Sequence, residues 1–542
     1  MGKFLFVQFW KKWVWPDRRW GICLALQILF FALSAVVPFL WGRVTDALAQ
    51  SDSAAFVKWI AFYLGLELAQ IFFLYMRGYK IRMLEMDVTR KIDESLYGKY
   101  HSIPYSHVLN TQTGDAIQRI TNDVSNCSPL IIQSFSDLAG HIVLIVIIMA
   151  LMFVLSPLLA LISIAVMGVY ALGYYFYQKK TPAFVNARQQ AQSKFISSIE
   201  EGLEAAYSIR VQGSFRGVMK SFRKALEHYF TKSFAFYKFG LLFQGVFSSA
   251  VTFIMEVGII AAGAWLIFSG KMTVGSVISF SLYINWLVVF VSFMSSYAAT
   301  VEPALVSLKR IEEVLNQPDA WVYDNIKEAP PIKGENAVEL RGLCFAFDEK
   351  PIFNQLNLEI PAGRTAIIKA ESGRGKSTLL NLLLKIYPSA DGRIYINGSD
   401  INELDVGVLL GMISVVEQEP KFFGDNLLSS VSGCDADVSK NRIFDAAKSL
   451  GLGGFLETLM SRESTKAKLS ELSGGERKRL GMIRGLSRQT PITILDEPTA
   501  FLDSETSVAL MEKMRAQYPD RTFIIFTHDP LLDRFADMVI QL

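Results

Sequence analysis

The chain has 542 residues, 51% hydrophobic and 19% charged, with a net charge of +3 and a mean hydropathy of +0.30. The length allows several domains, the apolar excess excludes a chain wholly in water, and a small net charge without a long Arg/Lys run gives no ground for nucleic acid as a partner. Cys23, Cys127, Cys344 and Cys434 share no ligand or framework spacing, so neither a metal centre nor disulfides are expected from them.

The first stretch, "FLFVQFWKKWVWPDRRW", interleaves aromatics with Lys and Arg, a composition suited to a short helix lying at the cytoplasmic interface. Six apolar segments follow, at about 20–42, 57–77, 130–155, 158–178, 239–268 and 274–298, each long enough for a hydrocarbon layer of ~30 Å. Pro157 separates the third from the fourth. The first is read as a retained helix, because it is too long for the core of a signal peptide and ends far from a cleavage site. Residues 77–129 and 179–238 hold 7 and 11 Lys/Arg, and the first 20 residues hold 5, whereas Lys271 stands alone between the fifth and sixth segments. The bias places both termini and the two long loops in the cytoplasm. Those loops are too long to be structureless. Ile92, Leu96, Tyr100 and then Ile117, Ile120, Val124 repeat at helical spacing, so the spans are expected to continue as helices. Reversals are expected near "NTQTGDAIQRITNDV" and "EEGLEAAYSIRVQGS".

Within the apolar segments Glu67, Gln70, Asp137, His141, Glu256 and Asn285 are expensive in lipid. Glu67 with Gln70, and Asp137 with His141, share a helix face by spacing. They either pair across helices or sit in the wet end of the bundle, or they touch cargo.

From residue 335 onward the pattern is that of a water-soluble α/β region. "AGRTAIIKAESGRGKSTLLNLLLKIY" reads as a strand at 365–369, a glycine-bearing loop, and a helix with Leu379, Leu380, Leu383 and Leu384 on one side, which is the setting of a phosphate-binding loop. Backbone N–H groups of Ser372, Gly373, Arg374 and Gly375 and the helix start attract phosphate oxygens, Lys376 adds a point charge, and Ser377 offers a hydroxyl to Mg2+. Ala370 stands where the pattern has glycine; if left-handed backbone were needed there, it would cost about 1–2 kcal/mol, and otherwise almost nothing. "ITILDE" is an apolar strand ending in Asp496, placed for a metal shell, and Glu497, placed to polarise water. "LSGGERKRL" puts Ser473, Gly474, Gly475 and Glu476 at a second helix start able to attract an anion, or at a plain turn.

Taken together, the phosphate loop, "LSGGE", "ILDEPTAFLD" and "FTHD" in this order resemble an ABC transporter, specifically an exporter-type half-transporter with membrane and ATPase domains fused. "TGDAIQRITNDV" and "ALVSLKRIEEVLN" add weaker matches in the membrane half. The resemblance implies an α-helical six-span transmembrane domain (residues 1–320), a linker (321–334) and an α/β P-loop ATPase domain (335–542). It implies that Lys376, Ser377 and Thr378 bind nucleotide and metal, and that Gln418 in "VVEQEP" senses Mg2+ and the attacking water. By the same resemblance Asp496 binds metal, Glu497 is the catalytic carboxylate, Asp503 is the acid of the following loop and His528 holds the γ-phosphate. Phe347 takes the place of an adenine-stacking tyrosine, or packs in the core. The cofactors implied are ATP and Mg2+.

Two further departures are "STKAKLSE" before the signature, where the family carries a Gly-Glu pair, and the end at "MVIQL", which is expected to mark a short or truncated domain. The family mechanism makes two chains share each nucleotide. A homodimer with two competent sites is expected, a heterodimer being the alternative, and closure would pass through the loops near Gly114 and Tyr207. The expected activity is ATP-driven export of a peptide or small hydrophobic or amphipathic compound from a multi-pass position in a bacterial cytoplasmic membrane. A lipid or multidrug exporter, or an ATP-gated regulator, is the alternative. The fused order argues against an importer. No protease-like segment precedes the first span, so built-in leader removal is not expected.

Overall fold

The computed structural model describes residues 2–111, 113–321, 334–347, 350–369, 374–388, 391–423, 426–433, 438–463 and 472–542. Nearly all of the expected linker lies outside them, as do Ala370, Ser372, Gly373 and "STKAKLSE". The chain forms two compact units, Met1–Tyr97 with Thr113–Asn316, and Gly98–Gln112 with Gln317–Leu542.

The first unit is helical. After α1 (Gly2–Trp13), where Trp10 meets Trp20 edge-on at 4.9 Å, come α2 (Arg19–Ala49) and α3 (Ser53–Ser102). The 50 residues of α3 make a rod of about 75 Å, far longer than a bilayer core needs. Next come α4 (Tyr105–Asn110), α5 (Thr113–Gln118) and a π-turn at Arg119–Asp123 leading into α6 (Val124–Leu155). Ser156 adopts extended backbone, accepts the Leu159 N–H and hands over to Pro157 at the start of α7 (Pro157–Glu204). Proline has no N–H to lose in a first turn, so the chain restarts there. Then follow α8 (Ala206–Gln212), α9 (Phe215–Gly240), a π-segment to Phe247, α10 (Ser248–Phe268) and α11 (Val274–Leu315). Among the described residues six helical stretches are long and apolar enough to cross a membrane. Breaks in the helices fall close to both stretches, at Thr111 before α5, which holds Gly114, and at Ala205 and Gly213 on either side of α8, which holds exposed Tyr207.

The core of this unit is formed by α2, α6, α7, α10 and α11 around Phe31, Leu144, Met255, Phe280 and Tyr283. Asp137 is a polar group inside it that pairs across helices. Asp137 of α6 accepts from Gln27 of α2 at 2.5 Å and from Arg77 of α3 at 3.2 Å, while Arg77 lies over the rings of Phe30 and Phe31. His141 points Nδ1 at the Asp137 carbonyl, 2.8 Å away, and stacks on Phe293 at 3.9 Å.

The two weaker sequence matches meet in one network. Asp123 accepts from Ser307 at 2.8 Å and pairs with Arg310 at 3.2 Å, Arg310 also pairs with Asp115, and Arg119 joins Asp115 at 2.9 Å.

The second unit includes α4 and the last turn of α3, whose Lys99 and Ser102 both reach Asp319, at 2.6 and 2.5 Å. Its antiparallel sheet runs in the order β2 (Lys350–Pro361), β1 (Asn336–Phe347), β4 (Asp391–Ile396), β5 (Ser399–Asp400). A parallel sheet runs β6 (Ile413–Val416), β7 (Ile492–Asp496), β8 (Thr522–Phe526), β3 (Thr365–Lys369), β9 (Met538–Gln541). Strands β3, β7 and β8 are apolar nearly throughout, as strands covered on both faces must be. One core lies between the sheets and beneath α12 (Lys376–Leu383). Another packs α14 (Leu427–Ser432), α15 (Lys440–Ser449), α16 (Gly453–Glu463), α17 (Gly474–Ser487) and α18 (Ser504–Gln517) against the parallel sheet; α13 (Val406–Met412) leads into β6. The helix after the phosphate loop also buries Leu382, while Leu384 lies just past its end and is half-buried.

Candidate functional site

Open parallel sheets bind ligands beyond the carboxyl ends of their strands. Here Ile368 and Asp496 both sit beside Phe526 in register, so β3, β7 and β8 finish level with one another. The loop after β3, the acids after β7 and Thr527–His528 after β8 therefore leave the sheet at one edge.

Gly375 opens α12 with φ 101°, and a Cβ there would come within 2.8 Å of Phe353 and 2.9 Å of Ile352. Both the backbone and the space demand glycine. One turn of helix follows with Lys376 half-buried, Ser377 exposed and Thr378 half-buried; Arg374 is exposed just before it.

Glu497 is the hub of this edge. It is 8% exposed and holds φ 43°, a left-handed conformation that a non-glycine residue keeps only when its surroundings insist. Its N–H donates to the Phe526 carbonyl at 2.8 Å. Its Oε1 accepts from Lys376 Nζ at 3.0 Å and lies 3.0 Å from His528 Nδ1, and Oε2 accepts from Thr527 Oγ1 at 3.2 Å. Burial by itself raises the Glu497 carboxyl, but the hydrogen bonds from His528 and Lys376 outweigh it and hold the group below the usual carboxylate range. Asp496, next to it, goes the other way. Burial raises its carboxyl, and the nearby positive charge of Lys478 only partly opposes this.

Lys478 is wholly buried on α17. It donates to the carbonyls of Glu417 at 2.9 Å, Asp496 at 2.7 Å and, more weakly, Gln418 at 3.4 Å. Burial brings its ammonium down to about 8. The Gln418 side chain itself is exposed.

The signature stretch forms a second helix start. Ser473 accepts the Glu476 N–H at 3.2 Å and Glu476 accepts the Ser473 N–H at 2.9 Å, which closes a capping box. Gly474 and Gly475 lie against Phe501, where a Cβ on either would stand 3.0 Å from it. Asp503 caps α18 by accepting the Thr506 N–H and hydroxyl at 2.8 and 2.7 Å, and these bonds hold it below the usual carboxylate range. Phe347 ends β1 opposite Lys350, with its side chain outside those described.

The structure thus joins Lys376, Glu497 and His528 directly and places Asp496 beside them. Sequence reasoning missed Thr527 and Lys478 here, and Arg77 and Gln27 in the membrane half. The signal for Lys478 is its spacing: with Gly481, Met482 and Gly485 it forms the i, i+3, i+4, i+7 row of a buried helix face.

Two family models match the chain, the ABC transporter transmembrane region over residues 20–291 and ABC transporter over residues 353–500. A fatty acid ABC transporter ATP-binding/permease protein of Mycobacterium bovis is 24% identical, covering 90% of this chain and 77% of its own. The ABC-type oligopeptide transporter ABCB9 of Homo sapiens is 23% identical over 97% of this chain and 69% of its own, and an ATP-dependent lipid A-core flippase of Syntrophus aciditrophicus is 24% identical over 97% and 87%. A solved bacterial Atm1-family ABC exporter with ATP bound shares the fold, with TM-score 0.77 at 20% identity over 97% of this chain and 93% of that one.

Proposed function

We propose, on the premise that this chain belongs to the ABC transporter family as an exporter with membrane region and ATPase fused, that two copies of it move a peptide or a small hydrophobic or amphipathic cargo out of the cytoplasm by alternating access. ATP hydrolysis is the energy source. Supporting the cargo class are the relatives, which are named for oligopeptides, fatty acids and lipid A-core. The last two favour a lipid as the second reading. The Lys/Arg bias of the long loops supports a multi-pass position in a bacterial cytoplasmic membrane with the ATPase inside.

The observation that carries the reading is Glu497 gathering Lys376 and His528 where three parallel strands end. Lys376 holds Glu497 until a phosphate arrives to take the ammonium. Glu497 is then released to accept a proton from the water that attacks the γ-phosphorus, the bond from γ-phosphorus to the bridging β-phosphate oxygen breaks so that ADP and phosphate leave, and His528 turns to a γ-phosphate oxygen. Ser372, Gly373, Arg374, Gly375 and Thr378 cradle phosphates, and Phe347 stacks on the base. Ser473, Gly474, Gly475 and Glu476, with Asp503, serve the nucleotide held mainly by the partner copy. Ser377, Gln418 and Asp496 offer a hydroxyl, an amide oxygen and a carboxylate, a hard-oxygen set that suits Mg2+. Burial raises the Asp496 carboxyl, a cost that a bound cation would relieve. When bound, Mg2+ neutralises charge on the β- and γ-phosphates.

Glu497→Gln tests the reading. Turnover of ATP by the lipid-embedded protein should fall about a hundredfold or more, nucleotide binding should persist, and cargo movement should stop. Transport at full rate in that variant would overturn the coupling. Stimulation of ATPase in lipid discs by peptides, lipids or cationic drugs identifies the cargo.

A further inference from the structure

We propose that Lys478 is a positioning residue for the divalent cation of the nucleotide site, setting the distance between Gln418 and Asp496 through the carbonyls it holds. The proposal rests on the reading that these two residues ligate Mg2+.

Three separate pieces of chain meet on one ammonium. Lys478 comes from α17, Glu417 and Gln418 from the loop after β6, and Asp496 from the last position of β7. A buried lysine ordinarily finds a carboxylate, because burying a bare charge is costly. Lys478 instead spends its donors on backbone oxygens of the two residues that carry candidate ligands and of their neighbour. Strands β6 and β7 pair only as far as Val416 with Leu495. Beyond that point the ladder ends and Lys478 supplies the cross-link between the two chains.

The helix face around it is shaped for this reach. A Cβ on Gly481 would stand 2.5 Å from Pro420 Cγ, and one on Gly485 would stand 2.6 Å from Val416. Bare glycine faces bring α17 against β6 and the loop behind it, close enough for the lysine to reach all three carbonyls. The same helix begins with the capping box of Ser473 and Glu476. A group that orients metal ligands without touching the metal typically contributes 10- to 100-fold in affinity, a rough scale for what Lys478 supplies.

Mn2+ is the probe, its binding followed by electron paramagnetic resonance on the full chain in lipid discs with a non-hydrolysable ATP analogue present. Lys478→Met should weaken Mn2+ binding by roughly 10- to 100-fold, while a fluorescent ATP analogue binds in EDTA as it does to the unaltered protein. Lys478→Gln, which keeps two donors, should recover most of the loss. Gly481→Ala pushes the loop without touching the lysine and should also weaken Mn2+. The proposal is overturned if Lys478→Met folds and binds Mn2+ as the parent does, or if Mn2+ and metal-free nucleotide binding fall together. Asp496→Asn separates the two layers: if it leaves Mn2+ binding intact, the ligand assignment itself is wrong; if it abolishes binding while Lys478→Met does not, only the role of Lys478 fails.

Discussion

Among single residues, Asp537 shows how a local contact sets a measurable pH dependence. Its carboxylate accepts the Thr365 N–H at 2.8 Å and two bonds from Arg515 at 3.0 and 3.2 Å, fastening the start of β3. Burial raises the group, but the Thr365 and Arg515 contacts outweigh it and leave it below the usual range. A depressed folded value means stability that is present above the unfolded carboxylate value and lost as pH falls through the folded one. Asp537→Asn should therefore cost about 1 kcal/mol at neutral pH. Thermal unfolding in detergent should show the gap from the parent narrowing as pH falls below the ordinary aspartate value of about 4. A gap that stays constant with pH would mean the charge is not what matters. Lys376 and Glu497 are legible from their local motifs, and His528 through the family resemblance. Their contact is not, because it depends on β7 and β8 ending in register. Lys478 was legible only as one polar member of a buried helical row.

At the scale of elements, the helices follow from hydropathy and from Pro157, while their partnerships come from packing. The Asp123–Arg310 knot ties the π-turn before α6 to the far end of α11, and Asp123 is only 4% exposed. Arg310→Met strands that carboxylate with a serine hydroxyl alone, at a cost of about 2–3 kcal/mol, less than for a fully buried pair because Arg310 reaches solvent. Arg310→Met with Asp123→Asn should recover part of the lost melting temperature, since the two changes act on one interaction. Strictly additive losses would show that the pair is incidental. Both motifs were readable as separate matches, "TGDAIQRITNDV" and "ALVSLKRIEEVLN", but a sequence does not state that residues so far apart meet on one carboxylate. The same holds for Asp137, whose partner Arg77 was read only as a loop charge.

For the whole molecule, the proposed sharing of each nucleotide between two copies predicts complementation. A chain carrying Ser473→Arg has a blocked signature but keeps its phosphate loop and Glu497, and one carrying Glu497→Gln keeps its signature but lacks the proposed catalytic carboxylate. Each alone should be inactive in lipid discs. When the two are co-assembled, half of the sites in the mixed dimers are intact and ATP turnover should return. Silence in the mixture, with both chains folded and associated, would place the whole site within one chain.

The order of apolar spans, phosphate loop, signature, acids and histidine is determined by the sequence itself, because hydropathy, helical period and loop chemistry are properties of neighbouring residues. The union of Lys376, Glu497 and His528, the burial of Lys478 among three carbonyls, and the pairing of Asp137 with Arg77 were decided by tertiary structure. Burial and pairing depend on what distant segments bring alongside, and the cost of an unpaired buried charge makes those meetings obligatory once the chain has folded.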